Sequence, residues 1–421
     1  MPDQANQARL LLVRLDWTDP HMPGPMVHGG MMRLTRSLTS GLTRRASDAP
    51  RVFWGVGDRG PNIKPCDAVE RYGLDALRPL IGLDGARVMP LPETGPVLAR
   101  FRLTENEIVL EAVFPLRAAD GTTLTGIPPA PLPGMETEPA FTIDGVALPP
   151  SSFGADTEGI AALPDGRFWI ADEYGPSLLL VDVDGVVERR LVPIGGAAMF
   201  SGSPVPVDDL LPPIALARKL NRGFEGVALS ADGAVLFVAF QSPLAHPDRA
   251  THDAGDLVRI WALDPQSGQL ICEYAYPLDP PASFIRDCAA GSVSRSDVKV
   301  SELTALSDGS LLVLERVTHS THIYRVRPTA AHALHPCWGD PLHRPTLEQV
   351  GQAGCSEAGI VLLEKELVLS TDIAQDICGD LEGMVALDPH TLLFASDNDY
   401  GIEGAATQFW RAPMVLNQIQ A

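Results

Sequence analysis

The chain has 421 residues, 45% of them hydrophobic, so it contains enough apolar material for a large core. Asp and Glu number 53 against 32 Lys and Arg, which gives a net charge of −21. Such a surface repels nucleic-acid phosphates and anionic membranes, so we expect neither as a partner, although a local basic pocket for a small anion stays possible.

The sequence predicts neither a membrane-spanning segment nor a signal peptide. No apolar run reaches the roughly 18 residues of a transmembrane helix. The start of the chain lacks a basic segment, and the short apolar stretch after it is interrupted by Arg9 and Arg14. We therefore predict no signal peptide and a cytoplasmic location, with a periplasmic or secreted protein whose leader has been removed as the alternative.

The six cysteines form no C-x-x-C pair, so they indicate neither a zinc site nor a redox motif. Scattered cysteines in a long chain are typical of buried thiols. A disulfide between Cys337 and Cys355 remains an option if the protein is exported.

The first predicted element is a strand at residues 9–17, which has no hairpin partner nearby. A degenerate copy of a repeated unit starts at residues 29–31 and resumes at 52–59, with further strands at 97–103 and 108–116. Four clearer copies begin at Glu158, Glu225, Glu302 and Glu382. In each copy an apolar strand runs into a turn, usually Asp-Gly, and a second apolar strand returns, which predicts a β-hairpin.

Two more strands follow most of these hairpins, at 178–183 and 186–192, at 257–263 and 270–276, and at 322–326 and 361–369. Four antiparallel strands per unit are typical of a propeller blade. We therefore predict an all-β propeller, a single domain over residues 1–421, with five recognisable blades and a possible sixth within 118–156. The last copy has only three strands, the third at 408–415, so the N-terminal strand should pair with it and close the ring.

The acidic residues of the repeat should gather on one face of the disc. The glutamate of each unit begins the first strand, and acidic residues end the second strand, which runs back antiparallel. Because the first strand of a blade lines the channel, we expect the four glutamates to converge at one mouth. A second set should lie just outside them: Asp58, Asp172, Glu173, Glu315, Asp397 and Asp399.

Carboxylates this close cannot all ionise without compensation. A hard cation such as Ca²⁺, the arginines at 59, 222 and 316, or protonation of some carboxyls would each provide it. Alternatively, each glutamate only accepts backbone N–H groups from the next blade. The candidate metal ligands are Glu158, Glu225, Glu302, Glu382, Asp397 and Asn398.

Short motifs recur in order along the chain, at residues 58–61, 120–126, 156–159, 172–176, 221–226, 315–316 and 397–401. Together these motifs resemble the phytase-like family ("esterase-like activity of phytase") over most of residues 29–404. The resemblance implies hydrolysis of an ester or phosphoester without fixing the substrate. This sequence differs from the commoner exported members in lacking a leader.

We interpret the protein as a metal-assisted hydrolase of a small-molecule ester or phosphoester, with Ca²⁺ as the hypothetical cofactor. A non-enzymatic propeller that binds a small ligand or a protein is the alternative. A quinone-linked oxidoreductase is disfavoured because no cofactor motif is present, and no G-x-S-x-G motif supports a serine hydrolase. The candidate catalytic residues are Glu225, Glu158, Glu382 and Arg222, and the candidate substrate-binding residues are Arg59, Arg316, Asp172 and Glu173.

Overall fold

The computed structural model of the chain describes residues 12–413. Its strands are β1 Val13–Leu15, β2 His21–Val27, β3 Gly30–Thr35, β4 Gly41–Thr43, β5 Val52–Val56, β6 Arg87–Val88, β7 Val97–Leu103, β8 Ile108–Pro115, β9 Ala140–Phe141, β10 Thr157–Ala162, β11 Phe168–Asp172, β12 Ser177–Val181, β13 Val187–Pro193, β14 Val207–Leu211, β15 Phe224–Leu229, β16 Leu236–Phe240, β17 Leu257–Leu263, β18 Leu270–Pro277, β19 Lys299–Ala305, β20 Leu311–Arg316, β21 Thr321–Val326, β22 Glu366–Ser370, β23 Leu381–Asp388, β24 Thr391–Ser396 and β25 Phe409–Pro413.

Short helices lie in the connections between these strands. The α-helices are Pro65–Tyr72, Arg249–Ala254, Ile285–Ala290 and Leu347–Gly354. The 3₁₀ helices are Asp75–Leu80, Ala197–Phe200, Pro213–Ala217, Pro281–Ser283, Arg295–Asp297, Ala330–His332, Pro336–Gly339 and Asp399–Gly401.

Five antiparallel sheets form the blades of a β-propeller, as the repeat predicted. Blades 1 to 5 are, in order, β4-β5-β7-β8, β10 to β13, β15 to β18, β19 to β22, and β23-β24-β25-β1. A fifth strand, β14, joins blade 2 in parallel. The inner strands β4, β10, β15, β19 and β23 each contact the next, and β23 contacts β4, so the five blades surround one axis.

The N-terminal strand completes the last blade, which confirms the predicted pairing. β1 runs antiparallel to β25, with Val13 opposite Arg411 and Leu15 opposite Phe409. The predicted strands extended over 9–17 and 408–415, of which residues 9–11 and 414–415 lie outside the described residues. The blades remain separate sheets, and they meet through packed side chains such as the fully buried Trp169.

Two predicted strand positions are wrong, and the described residues form no sixth blade. Residues 29–31 belong to a separate hairpin, β2–β3, so the inner strand of blade 1 is β4. Within the described chain, residues 118–156 contribute one named strand, β9, which pairs in parallel with β6 and forms no sixth blade. The strand expected at 361–369 begins only at Glu366, because the preceding segment connects the helix Leu347–Gly354 to the blade.

Glycines allow the inner strands to approach each other closely. A Cβ on Gly159 would lie 2.2 Å from the carbonyl oxygen of Glu225, and a Cβ on Gly226 would lie 2.7 Å from the nitrogen of Leu303. The neighbouring atoms are backbone, so they cannot move aside as a flexible side chain would. The Glu-Gly pairs of the repeat therefore mark contacts between adjacent blades.

Replacing Gly226 with Ala should lower the free energy of unfolding by about 1–3 kcal/mol, because the added methyl group overpacks the contact with blade 4. Urea denaturation measures the change. Gly339→Ala is the matched control, since its Cβ would meet nothing within 4 Å. Equal losses in the two variants would contradict the close-contact explanation.

Candidate functional site

A polar cavity of about 240 Å³ opens where the inner strands begin. Ten carboxylates and six cationic side chains line it, so acidic groups are in excess. The carboxylates are Asp58, Asp156, Glu158, Glu173, Glu225, Asp380, Glu382, Asp397, Asp399 and Glu403. The cations are Arg59, Lys64, Arg87, Arg222, Lys299 and Arg316.

Three of the inner-strand glutamates reach this cavity from β-bulges. The strand register skips Glu158 and Gly159 in β10, Glu225 and Gly226 in β15, and Glu382 in β23. A bulge leaves its extra residue unpaired and turns the side chain out of the regular alternation. The structure thereby brings these three glutamates together at one mouth of the channel.

Glu302, the fourth predicted member, does not line the cavity. It pairs in register with Leu314, and the bulge of β19 falls on Ser301. The Asp-Gly turn follows Glu302 after six residues, whereas it follows Glu158 and Glu225 after seven. Because side chains alternate along a strand, one residue fewer reverses their direction, and Ser301 takes the position equivalent to the other glutamates.

The Glu302 carboxylate lies inside the channel and binds backbone. It is fully buried. One of its oxygens accepts the N–H of Leu42 at 3.1 Å, and the other accepts the N–H of Leu303 at 2.9 Å. Since Leu42 belongs to blade 1, Glu302 joins two blades that are not neighbours in the ring. Leu42 and Leu303 also line a second cavity, of about 280 Å³, at the opposite mouth.

Several acidic residues from strand ends also line the cavity. Glu173 accepts the N–H of Gly223 at 3.2 Å. Asp397 accepts the hydroxyl of Ser37 at 2.7 Å and that of Thr39 at 3.3 Å. Blade 1, whose inner strand carries no glutamate, therefore contributes hydroxyl groups to this side of the site.

Asp172, Glu315 and Asn398 lie outside the cavity, although the sequence grouped them with the site. Asp172 accepts two backbone N–H groups and one hydroxyl. Glu315 accepts a hydrogen bond from the Lys365 ammonium at 2.7 Å, and the Asn398 amide donates one to the carbonyl of Arg36 at 3.0 Å. Their polar atoms are engaged by the protein itself, so the structure assigns them local contacts around the site.

Asp58, Asp156 and Glu158 form an acidic cluster that could hold a metal. One carboxylate oxygen of each lies within 4.8 Å of the others. Asp156 is 1% exposed, and neither of its carboxylate oxygens has a hydrogen-bond partner among the described residues. Arg59 approaches one of them, with 3.0 Å between Nη1 and Oδ2. Sequence analysis placed Asp156 in a family motif, two residues before the repeated Glu-Gly pair, but gave it no role in the site.

Burial and mutual repulsion raise the pKa values of the cavity carboxyls. Burial, followed by repulsion from Glu225, raises the pKa of Glu158, and burial followed by Asp156 raises that of Asp58. Burial raises the pKa of Glu225 to about 7 and that of Asp399 to about 7. The acidic side of the cavity therefore resists ionisation and favours the binding of positive charge.

The cations in the cavity are not equally compensated. Arg59 is shared among three carboxylates, and Arg316 pairs with two. By contrast, Arg222 and Lys299 make no ion pair with any residue that the structure describes. Sequence analysis missed Lys299, whose signal was its position at the start of an inner strand, three residues before Glu302.

The chain belongs to the phytase-like family. The family model, described as esterase-like activity of phytase, matches residues 3–400. This agrees with the resemblance carried by the sequence motifs. The family and the propeller fold fit a hydrolase-like or binding function.

A curated relative, an uncharacterized secreted protein from Arthroderma benhamiae, is 32% identical over 215 residues. The match covers 46% of this chain and 40% of that protein, so it spans less than half of the relative's length. Similar solved structures include a PQQ-bound aldose sugar dehydrogenase from Streptomyces coelicolor, with a TM-score of 0.35, 10% identity and coverage of 96% and 97%. The Malassezia sympodialis allergen Mala s 1 has a TM-score of 0.35, 8% identity and coverage of 90% and 78%. These scores are too low to support a functional inference.

Within residues 12–413, no helix is both long enough and apolar enough to cross a membrane. The expected cytoplasmic location gains no support from the comparisons, because the matched relative is described as secreted, which fits the exported alternative. Cys337 and Cys355 are both free thiols in the structure.

Replacing Glu302 with Gln should lower the free energy of unfolding by about 1–3 kcal/mol, because the amide keeps one acceptor and leaves one buried N–H group without a partner. Urea denaturation measures this loss. Glu188→Gln is the control, since Glu188 is exposed on the outer strand β13. An unchanged stability of the Glu302 variant would contradict its role in joining blades 1 and 4.

Proposed function

We propose that this protein is a metal-assisted hydrolase that cleaves a small-molecule ester or phosphoester in the cavity at the channel mouth. The observation that carries the proposal is a set of buried carboxylate oxygens without hydrogen-bond partners among the described residues: both oxygens of Asp156, one of which lies 3.0 Å from an Arg59 nitrogen, and Oε2 of Glu225. Leaving buried acceptors unpartnered is costly. A bound cation would supply the missing interactions.

The acidic cluster of Asp58, Asp156 and Glu158 suits a hard cation such as Ca²⁺. That ion takes about six to eight oxygen ligands at roughly 2.3–2.6 Å, so its opposite ligands lie up to about 5 Å apart. The three oxygens lie within 4.8 Å of one another, which is close enough for one such ion to contact all of them. Carboxylate oxygens favour Ca²⁺ or Mg²⁺ over softer metals, and water would complete the coordination.

The other predicted ligands divide into two groups. Glu225, Glu382 and Asp397 line the same cavity, where Glu382 pairs with Arg316 and Asp397 accepts the hydroxyl group of Ser37. Glu302 and Asn398 are held by backbone contacts elsewhere, so we place them outside the proposed metal site.

The proposed reaction uses Glu225 as the general base. When bound, the metal polarises the carbonyl or phosphoryl oxygen. Burial raises the pKa of Glu225 to about 7, which makes its carboxylate a competent proton acceptor near neutral pH. The water oxygen bonds to the carbonyl carbon or phosphorus, its proton passes to Glu225, and the bond to the leaving oxygen breaks. The protonated Glu225 then returns the proton to the leaving alcohol.

The remaining predicted residues would act around this step. Glu158 would hold the cation, and Glu382 would set the position of Arg316 through their ion pair. Arg59, Arg222 and Arg316 would bind anionic groups of the substrate, since arginine forms strong charge-assisted hydrogen bonds with them. Glu173 lines the same cavity and would contact the substrate's polar groups.

The alternative is a propeller that binds a small ligand or a protein without turnover. The same cation site and arginines would serve a binding function equally well, and the propeller fold does not decide between the two. Nucleic acid and anionic membranes remain unexpected partners for a protein of net charge −21.

Adding millimolar Ca²⁺ to chelator-treated protein should raise the melting temperature by about 2–4 °C, because the ion binds only the folded site. Asp156→Asn should abolish this shift, since it removes one buried charge at nearly constant shape. Asp120→Asn, at an exposed turn, is the control and should keep it. If Ca²⁺, Mg²⁺ and Mn²⁺ all leave the wild-type melting temperature unchanged, the metal site does not exist.

Glu225→Gln should cut turnover by about 100-fold or more while the protein stays folded, because the amide matches the shape of the base but cannot accept the proton. The assay uses a panel of p-nitrophenyl esters and phosphates in the presence of Ca²⁺. Glu188→Gln is the matched control and should behave as wild type. A wild-type protein that binds the cation but hydrolyses nothing in the panel would favour the binding alternative.

A further inference from the structure

Cations gather on the side of the cavity that blades 3 and 4 form. Lys299 and Arg316 lie directly opposite each other in the β19–β20 register, and Arg222 precedes the start of β15. Like charges directly opposite each other in an antiparallel pair are destabilising. Burial, and then the charges of Arg316 and Arg222, lower the pKa of Lys299, whereas Asp380 and Glu382 act in the opposite direction. This arrangement is unfavourable without a negative partner.

Two of these three cations lack such a partner. Arg316 is paired with Asp380 and Glu382. The Lys299 ammonium makes no hydrogen bond or ion pair within the described chain, and Arg222 donates only to the carbonyl of Asn221. The Nε of Arg222 is buried without an acceptor. Although ten carboxylates line the cavity, none lies within ion-pair distance of Lys299 or Arg222.

A groove lined by five cationic and three acidic side chains adjoins the cavity at Arg222. Its volume is about 730 Å³, and it shares Lys64, Arg87, Asn221 and Arg222 with the cavity. The chain has four lysines, and three of them, at 64, 219 and 299, line the cavity or the groove. In a protein of net charge −21, this concentration of positive charge provides an approach path for an anion.

We propose that Arg222 and Lys299 form an oxyanion subsite, so that the ligand carries an anionic phosphoryl or carboxyl group at or next to its scissile bond. The preference for anionic over neutral esters rests on the proposed function. Anion binding by this subsite rests only on the two cations that lack a carboxylate partner. A guanidinium and an ammonium together supply several donors to the oxygens of one small anion.

The test is calorimetric titration of metal-free protein with inorganic phosphate and, separately, with acetate. Wild-type protein should bind one anion, and Lys299→Met should weaken that binding at least about 10-fold, since one of two charge-assisted contacts is lost. Arg327→Met is the control, because it removes one positive charge from a side chain that is 58% exposed beyond the far end of β21. Tighter binding of phosphate assigns a phosphoryl group, and tighter binding of acetate assigns a carboxyl group.

Thermal melting without any anion separates a binding role from a structural one. Lys299→Met should melt at or above the wild-type temperature, because it removes the charge that faces Arg316. A lower melting temperature together with unchanged anion affinity would make Lys299 a structural residue and overturn the inference. Failure of wild-type protein to bind either anion would also overturn it.

Turnover of p-nitrophenyl phosphate and p-nitrophenyl acetate distinguishes this inference from the proposed function. Anion binding that depends on Lys299, with neither compound hydrolysed, keeps the subsite and removes the hydrolase. Hydrolysis of the neutral acetate ester that Lys299→Met leaves unchanged, with no anion binding, keeps the hydrolase and removes the subsite. Preference for the phosphate ester that Lys299→Met abolishes supports both.

Discussion

Five inner strands meet around one axis, and their backbones approach so closely that only glycine fits at several contacts. The Glu-Gly pair of the repeat has two roles in this contact. The glycine, which has no side chain, lets the neighbouring backbone pack against it, as the backbone of Glu225 packs against Gly159. The bulge at the same pair turns the glutamate toward the channel mouth. The packing of the ring thus decides which carboxylates reach the cavity, and every later property of the site follows from that selection.

Ion pairs neutralise only part of the charge in the cavity. On one side, Asp156 and Glu158 gather negative charge with only the shared Arg59 nearby. On the other side, Arg222 and Lys299 remain without carboxylate partners in the described structure. Bringing like charges together out of water is unfavourable unless charge of the opposite sign joins them. A cation on the acidic side and an anion on the basic side would relieve both, which is why we propose a bound metal and an anionic ligand.

Sequence reasoning was strongest where a pattern repeats and weakest where one residue changes the geometry. The hairpin units and the pairing of the N-terminal strand followed from apolar alternation and turn residues, which act over a few residues. Glu302 fits the same pattern, but its turn comes one residue sooner, so its side chain points to a different partner. Asp172 and Asn398 also fit the motif spacing, yet nearby backbone groups engage them. Asp156 and Lys299 were given no role because both lie two residues before the bulged residue of an inner strand, where the residue type differs between blades: Asp156, Gly223, Lys299 and Asp380.

By itself the sequence determined the five repeated units, the strands within most of them, and the set of acidic residues that begin or end those strands. Alternation along a strand and the chemistry of Asp-Gly turns are local, so they can be read from neighbouring residues. Only the tertiary structure decided that Asp156 joins Asp58 and Glu158, that Lys299 faces Arg316, and that Glu302 reaches across to Leu42. Asp58 and Leu42 are far along the chain from their partners, so those contacts depend on how the blades meet around the axis. Lys299 and Arg316 belong to one hairpin, and their pairing depends on the bulge that sets its register.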